Sequence, residues 1–155
     1  MAITVAAEFE DKEVRAFLRN MDSRLKDIKG GRRQYASLIS VLVFRDVIDH
    51  FKNEEGPEGK WKAWSDKYKF HMQKIGKSGN LILTDDRTLV NNNRFGNFRN
   101  QSNGILFFNP TPYAEAHDEG SPKKNLPARP FMWLSKHAMD EISQQTLAFM
   151  LDKGV

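Results

Sequence analysis

The chain has 155 residues, with 39% hydrophobic and 28% charged side chains, a net charge of +4 and no cysteine. That length suits one domain over residues 1–155 and lets a folded chain bury about two-thirds of its unfolded surface, while the missing thiols remove disulfides, thiolate metal sites and cysteine nucleophiles together. No apolar run approaches the roughly 20 residues of a membrane helix, and the start, Met1 to Glu8, lacks a signal peptide's basic region and apolar core, so a protein made in the cytoplasm and not held by a membrane is expected.

In chain order, residues 8–29 read as an amphipathic helix, with Phe9, Val14, Phe17, Leu18, Met21, Leu25 and Ile28 at mostly three- and four-residue intervals. Acidic residues crowd its start, lysines its end, and Gly30-Gly31 offers a left-handed stop. A second helix is expected from about Gln34 to Asn53, with Tyr35, Leu38, Ile39, Leu42, Val43 and Val47 in one stripe. Val41, Phe44, Ile48 and Phe51 widen it, which points to burial on two sides, inside the domain or against another subunit.

Glu54 to Lys60 is a loop by its Gly-Pro content. Trp61, Trp64 and Tyr68 then follow at helical spacing among Lys60, Lys62, Lys67, Lys69, Lys74 and Lys77. Aromatics interleaved with lysines are one way to hold nucleic acid; the plainer reading is a packed aromatic face with solvated lysines around it. The chain turns at Gly76 to Gly79, and Leu81-Ile82-Leu83 starts a short strand or leads into the turn at Asp85-Asp86. Asn91-Asn92-Asn93 breaks the pattern, Phe95 and Phe98 suit a strand with a bulge or hairpin, and Ile105 to Phe108 is a clearer strand. Tyr113 to His117 is a short helical or extended segment. A last helix runs from Lys136 to about Lys153, capped by Ser135, with Met139, Ile142, Phe149 and Met150 on its apolar face. The pattern is that of an α+β fold: two N-terminal helices and a C-terminal helix packed against a small antiparallel sheet.

Between the last two elements lies Leu126-Pro127-Ala128-Arg129-Pro130-Phe131. Two prolines three apart fix φ and push their predecessors toward extended geometry, so this stretch is rigid and aims the chain. Arg129, held between them, is placed to offer its planar fork to a carboxylate, while Phe131, Trp133 and Leu134 carry large apolar area.

Catalytic signals are thin. His117-Asp118-Glu119 is the densest polar triplet, but adjacent side chains do not converge, and His50, His71 and His137 form no H-x-x-x-H pair. His117 reads as a structural hydrogen-bonding residue. Asp85-Asp86 is a conceivable Mg²⁺ pair, though consecutive aspartates in a turn are usually solvated. There is no phosphate-binding glycine loop and no G-x-S-x-G. No enzyme activity, metal or cofactor is expected; the catalytic rival would be a metal-dependent nuclease using Asp85, Asp86 and His117.

Tyr113-Ala114, His117 and Gly120, followed by Leu126 to Phe131, resemble the phage virion morphogenesis family, the tail completion proteins typified by Mu-like phages. His50-Phe51, then Glu55-Gly56-Pro57-Glu58-Gly59-Lys60-Trp61 with Ser65 and Tyr68, form a further block of that pattern, so the resemblance spans roughly residues 50 to 135. One block departs, with Asp86-Arg87 where the family commonly has a Thr-Gly pair. The resemblance implies a structural phage or prophage protein that completes the tail and joins it to the head as an oligomeric ring. Its partners would be further copies of itself, tail tube or tail terminator proteins, head-neck proteins and DNA in the channel. Its place would be the virion tail or neck, after assembly in the host cytoplasm. Tyr113, His117, Gly120, Pro127, Arg129, Pro130, Phe131 and Trp133 are then expected to shape the interface or the structure behind it, with Trp61, Trp64 and Tyr68 as an aromatic anchor. The alternative is a basic nucleic-acid-binding module, with Lys60, Lys62, Lys67 and Lys69 facing DNA.

Overall fold

The computed structural model describes residues 2–5, 19, 23, 31–94, 97–101 and 104–151. The helix expected over residues 8–29 lies outside them except at Arg19 and Ser23, which are both helical. The fold is α+β, with the expected hairpin and flanking helices.

Helix α1, Gly31–Asn53, is the spine. Ile39, Val43 and Val47 recur every fourth residue and are buried with Phe44 and Phe51 on a broad face. This face serves two cores. Ile39, Val43 and Phe44 pack with Phe107 and Ile142, and one end further on Val47 and Phe51 pack with Trp61, Leu89, Phe131 and Met132. Each such large apolar side chain contributes about 1.5–3 kcal/mol when fully buried. Val41, expected to widen the face, is 53% exposed, because two residues from Ile39 and from Val43 lies nearly opposite them on a 3.6-residue turn.

The main sheet has the order β1-β5-β4, with β1 Ala2–Val5, β4 Phe98–Gln101 and β5 Gly104–Phe108, all antiparallel. Within the expected loop after α1 two short strands, β2 Glu55–Gly56 and β3 Gly59–Lys60, pair antiparallel as a second sheet. Of the strand with a bulge or hairpin expected at Phe95 and Phe98, the hairpin is found at Phe98, paired with the expected strand over Ile105 to Phe108, while Phe95 lies outside the described residues. Strand β1 was not expected, since four residues with a partner about a hundred positions away leave no local turn signal. Phe107 on the central strand is fully buried and meets Phe44 edge-on, with ring centroids 6.0 Å apart. Helix α5, Lys136–Leu151, lies beside α1, tied by Tyr35 Oη and Thr146 Oγ1 at 2.7 Å and by the Arg45–Glu141 ion pair. Its inward residues are Ala138 and Ile142; Met139, expected on that face, is 48% exposed.

Ser135 caps α5 and does more. Its Oγ accepts from Ala138 N–H at 3.1 Å and donates to Asp46 Oδ1 at 2.6 Å, while its N–H donates to Asp46 Oδ2 at 2.8 Å. Burial by itself raises the Asp46 pKa, but the hydrogen bonds from His50 and Ser135 outweigh it, so the carboxyl sits below its usual range and stays ionised.

The middle of the chain departs from the expectations at the tryptophans. Trp61 and Trp64 are not on a helix with Tyr68: α2 runs over Asp66–Lys74, because the Ser65 hydroxyl accepts the Tyr68 N–H and starts the helix there. It ends in a Schellman motif, with Lys77 N–H to Met72 C=O at 2.8 Å and Gly76 at φ +72°. Of the two readings of Leu81 to Leu83, the lead into the turn at Asp85-Asp86 is the one found, and there is no strand. Thr84 N–H bonds back to Leu81 C=O, Leu83 has φ +63°, and Ile82 N–H donates to Glu54 Oε1 at 2.5 Å. A four-residue helix α3, Thr88–Asn91, follows. Arg87 before it has φ +59°, the left-handed shape that favours glycine, at the position where the resembled pattern has one.

Asn91-Asn92-Asn93, a break in the sequence pattern, ends α3 and turns inward: Asn91 is exposed, Asn92 half-buried and Asn93 buried. Asn93 and Asn109 both donate to Leu89 C=O, Asn109 also donates to Asn93 Oδ1 at 2.9 Å, and Asn109 Oδ1 accepts Thr111 N–H. This network joins α3 to the chain leaving β5 and carries it toward the site.

Candidate functional site

The rigid stretch is held from both sides. On one side Trp61 Nε1–H donates to Pro130 C=O at 2.9 Å, and Arg129 Nε and Nη2 both donate to Lys62 C=O at 3.1 and 3.0 Å. On the other stands helix α4, Ala114–Asp118. Arg129 N–H donates to His117 C=O at 2.9 Å, and Asp118 Oδ1 accepts the N–H groups of both Phe131 and Met132 at 2.8 Å. Arg129 was expected to meet a carboxylate and meets a carbonyl: the prolines aim it at the backbone of the 61–62 segment, and the fork closes on one oxygen there. Burial lowers its pKa from the usual arginine value, and it remains charged at neutral pH.

Between α4 and this stretch the chain makes a small loop closed by paired Ser121 and Leu126 backbone bonds, 2.8 and 3.0 Å, with Asn125 at φ +52°. Gly120 is required there. It has φ +80°, and a Cβ would lie 2.7 Å from Ala128 N.

Beside the clasp opens a cleft of about 860 Å³. Trp64 and Tyr68, tilted edge-on at 5.3 Å, stand on its walls with Leu83, Leu89, Tyr113, His117 and Pro127. Tyr113 is 42% exposed and meets the His117 ring edge-on at 5.7 Å. The expected role of His117 as a hydrogen-bonding side chain is not what the geometry gives: its Nδ1 is buried with no partner among the described residues, and it is its backbone carbonyl that bonds. Burial first, and the Arg129 guanidinium second, hold its pKa below the ordinary histidine value. It is neutral at pH 7.

That shift has a consequence for stability. Between the folded value and about 6.5 the unfolded chain binds the proton that folded His117 refuses. Stability is therefore whole above about pH 6.5 and declines as pH falls toward the folded value. Urea midpoints measured at steps below neutrality are expected to fall for the native chain and to fall less for His117→Asn; parallel slopes would place the proton elsewhere.

The expected site residues divide in two. Tyr113, His117, Pro127, Arg129, Trp64, Tyr68 and Lys62 share the cleft. Phe131 and Trp61 sit behind it in the core, Pro130 lends its carbonyl to Trp61, and Trp133 stacks on His50 with ring centroids 4.0 Å apart. Lys60, Lys67 and Lys69 are exposed and do not line the cleft. Asp85 and Asp86 line the cleft with His117, but Asp85 pairs with Lys77 Nζ at 2.5 Å and Asp86 accepts Thr88 N–H at 2.9 Å. Among the described residues no group of three or more His, Asp or Glu side chains is placed to hold a metal ion. In the sequence Asp118 stands out only as part of a polar triplet. Its structural role had one sequence signal, an acid next to the end of a short helix and thirteen residues before an apolar run.

The side chains of Arg129 and Asp118 hold one loop of this α+β scaffold in place. The chain belongs to the phage virion morphogenesis family, whose pattern matches residues 10–150. That extends the resemblance beyond the central blocks, to the residues on either side of them. The family is one of structural proteins, so the chain is a virion-associated morphogenesis protein. It is also similar to an uncharacterized protein of Methanocaldococcus jannaschii, 32% identical over 102 residues, which cover 65% of this chain and 76% of that protein. No solved structure matches. Among the described residues no helix is long and apolar enough to cross a membrane.

Proposed function

We propose that the protein completes the phage tail and joins it to the head, as a closed ring of identical subunits located at the tail or neck. The observation that carries this reading is the cleft: its backbone is locked by the Arg129 and Asp118 bonds, yet Tyr68 and Tyr113 on its walls stay exposed and the His117 Nδ1 inside is unpartnered. A preformed concave surface with exposed aromatics suits docking of another protein, since little ordering entropy is lost on binding. One such surface repeated head to tail around an axis closes into a ring. The clasp keeps the angle between neighbours constant, and residues 1–155 act as one unit in it. Tail tube or tail terminator proteins and head-neck proteins are the partners on the two faces of the ring.

Light scattering on the purified protein is expected to give a mass several times the 17.9 kDa of one chain, with rings visible by electron microscopy. Substitution Tyr113→Arg is expected to reduce that mass to the single-chain value without changing the circular dichroism spectrum. A strict monomer, both by itself and with tail tube protein present, would overturn the ring.

A further inference from the structure

We propose that the outward face of α2 is a nucleic-acid backbone contact, made by Lys67, Phe70 and Lys74 and independent of the cleft. Charge is the first ground. Residues 60–77 hold six lysines against the single carboxylate of Asp66, a positive excess larger than the +4 of the whole chain. The remainder of the protein is therefore slightly acidic, and its basic character is local to this segment.

Exposure is the second. Of the nine residues of α2, only Met72 is buried, so the helix stands on one side chain and presents the rest to solvent. Lys67, Phe70 and Lys74 fall at i, i+3 and i+7, on one face. Phe70 is 63% exposed, and Lys74 Nζ lies 5.8 Å from its ring centroid, a cation held over an aromatic face. Packing does not explain a phenylalanine left out in this way.

The pairing of the lysines is the third. Lys69 is taken by Asp66 at 3.4 Å, Lys77 by Asp85, and Lys60 lies near Glu55 at 3.9 Å. Lys67 and Lys74 have no carboxylate within ion-pair distance among the described residues. Two unneutralised ammonium groups bracketing an exposed aromatic ring fit an extended polyanion that also offers flat apolar faces, which is a nucleic acid held without sequence preference. The aromatic partner is Phe70, whereas Trp61, which the residue pattern would suggest, is buried in the core and bonded to Pro130.

The test is fluorescence anisotropy of a labelled DNA duplex and a labelled single strand of mixed sequence, titrated with the full chain over a series of KCl concentrations. Binding is expected with log K falling linearly in log salt, and the double variant Lys67→Gln/Lys74→Gln is expected to reduce the duplex slope by about 2, each lost phosphate contact being worth about 0.9. Phe70→Ala is expected to weaken the single strand more than the duplex. Lys52→Gln, an exposed lysine on α1 paired with Asp49, is expected to leave the slope unchanged. Absence of DNA binding at low salt, an unaltered slope in the double variant, or equal binding to polyglutamate, which would assign an acidic protein surface, each overturns the proposal. Solution mass read on the same samples reports separately on the ring, so the two readings stand or fall apart.

Discussion

Asp118→Ala is expected to destabilise the fold by about 3 kcal/mol or more, because each buried N–H left without an acceptor costs about 1–3 kcal/mol. The Asp118 side chain is buried, and its Oδ1 holds two such donors, those of Phe131 and Met132. Asp118→Asn keeps an amide oxygen in the same place and loses the charge assistance, so about half of that loss is expected. Urea unfolding of the two variants beside the native chain checks both values. A change below about 1 kcal/mol for Asp118→Ala would mean that another acceptor replaces the carboxylate. The functional corollary is that Asp118→Asn, still folded, loosens the clasp: its oligomer is expected to dissociate at a lower urea concentration than the subunit unfolds.

Phe131→Ala is expected to cost about 3–5 kcal/mol, as for other buried phenylalanines truncated to alanine. Phe131 is fully buried, with its ring 5.0 Å from that of Phe51, in the core that also takes Trp61 and Met132. Leucine at this position retains most of the apolar volume, and Phe131→Leu is expected to lose less than half as much. Calorimetric or denaturant midpoints separate the two; equal losses would point to backbone rearrangement of the Pro130–Met132 segment in place of a simple cavity. Because Phe131 follows directly on the proline-bound stretch, this core contact and the Asp118 bonds act on the same few residues and are expected to be coupled, so the double variant should lose less than the sum of the singles.

Much of the fold was legible because it is local. The stripe of α1, the Ser135 cap of α5 and the β4/β5 hairpin each arise from residues within one or two turns of one another, and periodicity reports such elements directly. The rigidity of Leu126 to Pro130 was legible for the same reason, since proline acts on its own φ and on its neighbour. Helix α2 illustrates the limit. Trp61, Trp64 and Tyr68 have helical spacing, but Trp61 is drawn off by Pro130 and Phe51, and the helix begins only where Ser65 can cap it. Likewise β1, the left-handed turn at Leu83 and the asparagine network all depend on partners far away in sequence.

The sequence by itself determined the α+β class, the absence of thiol chemistry, the concentration of lysine between residues 60 and 77, and the family, because composition, periodicity and ordered motifs are properties of the chain before it folds. Only the tertiary structure decided what the conspicuous residues do. It turned Arg129 onto a carbonyl, buried Trp61, made Asp118 the acceptor for two backbone donors, and left Tyr113, Tyr68 and Phe70 facing outward. The physical reason is that desolvation and hydrogen-bond satisfaction are settled by which segments meet, and residues 61–62, 113–118 and 126–132 meet only once α1 has brought both cores together.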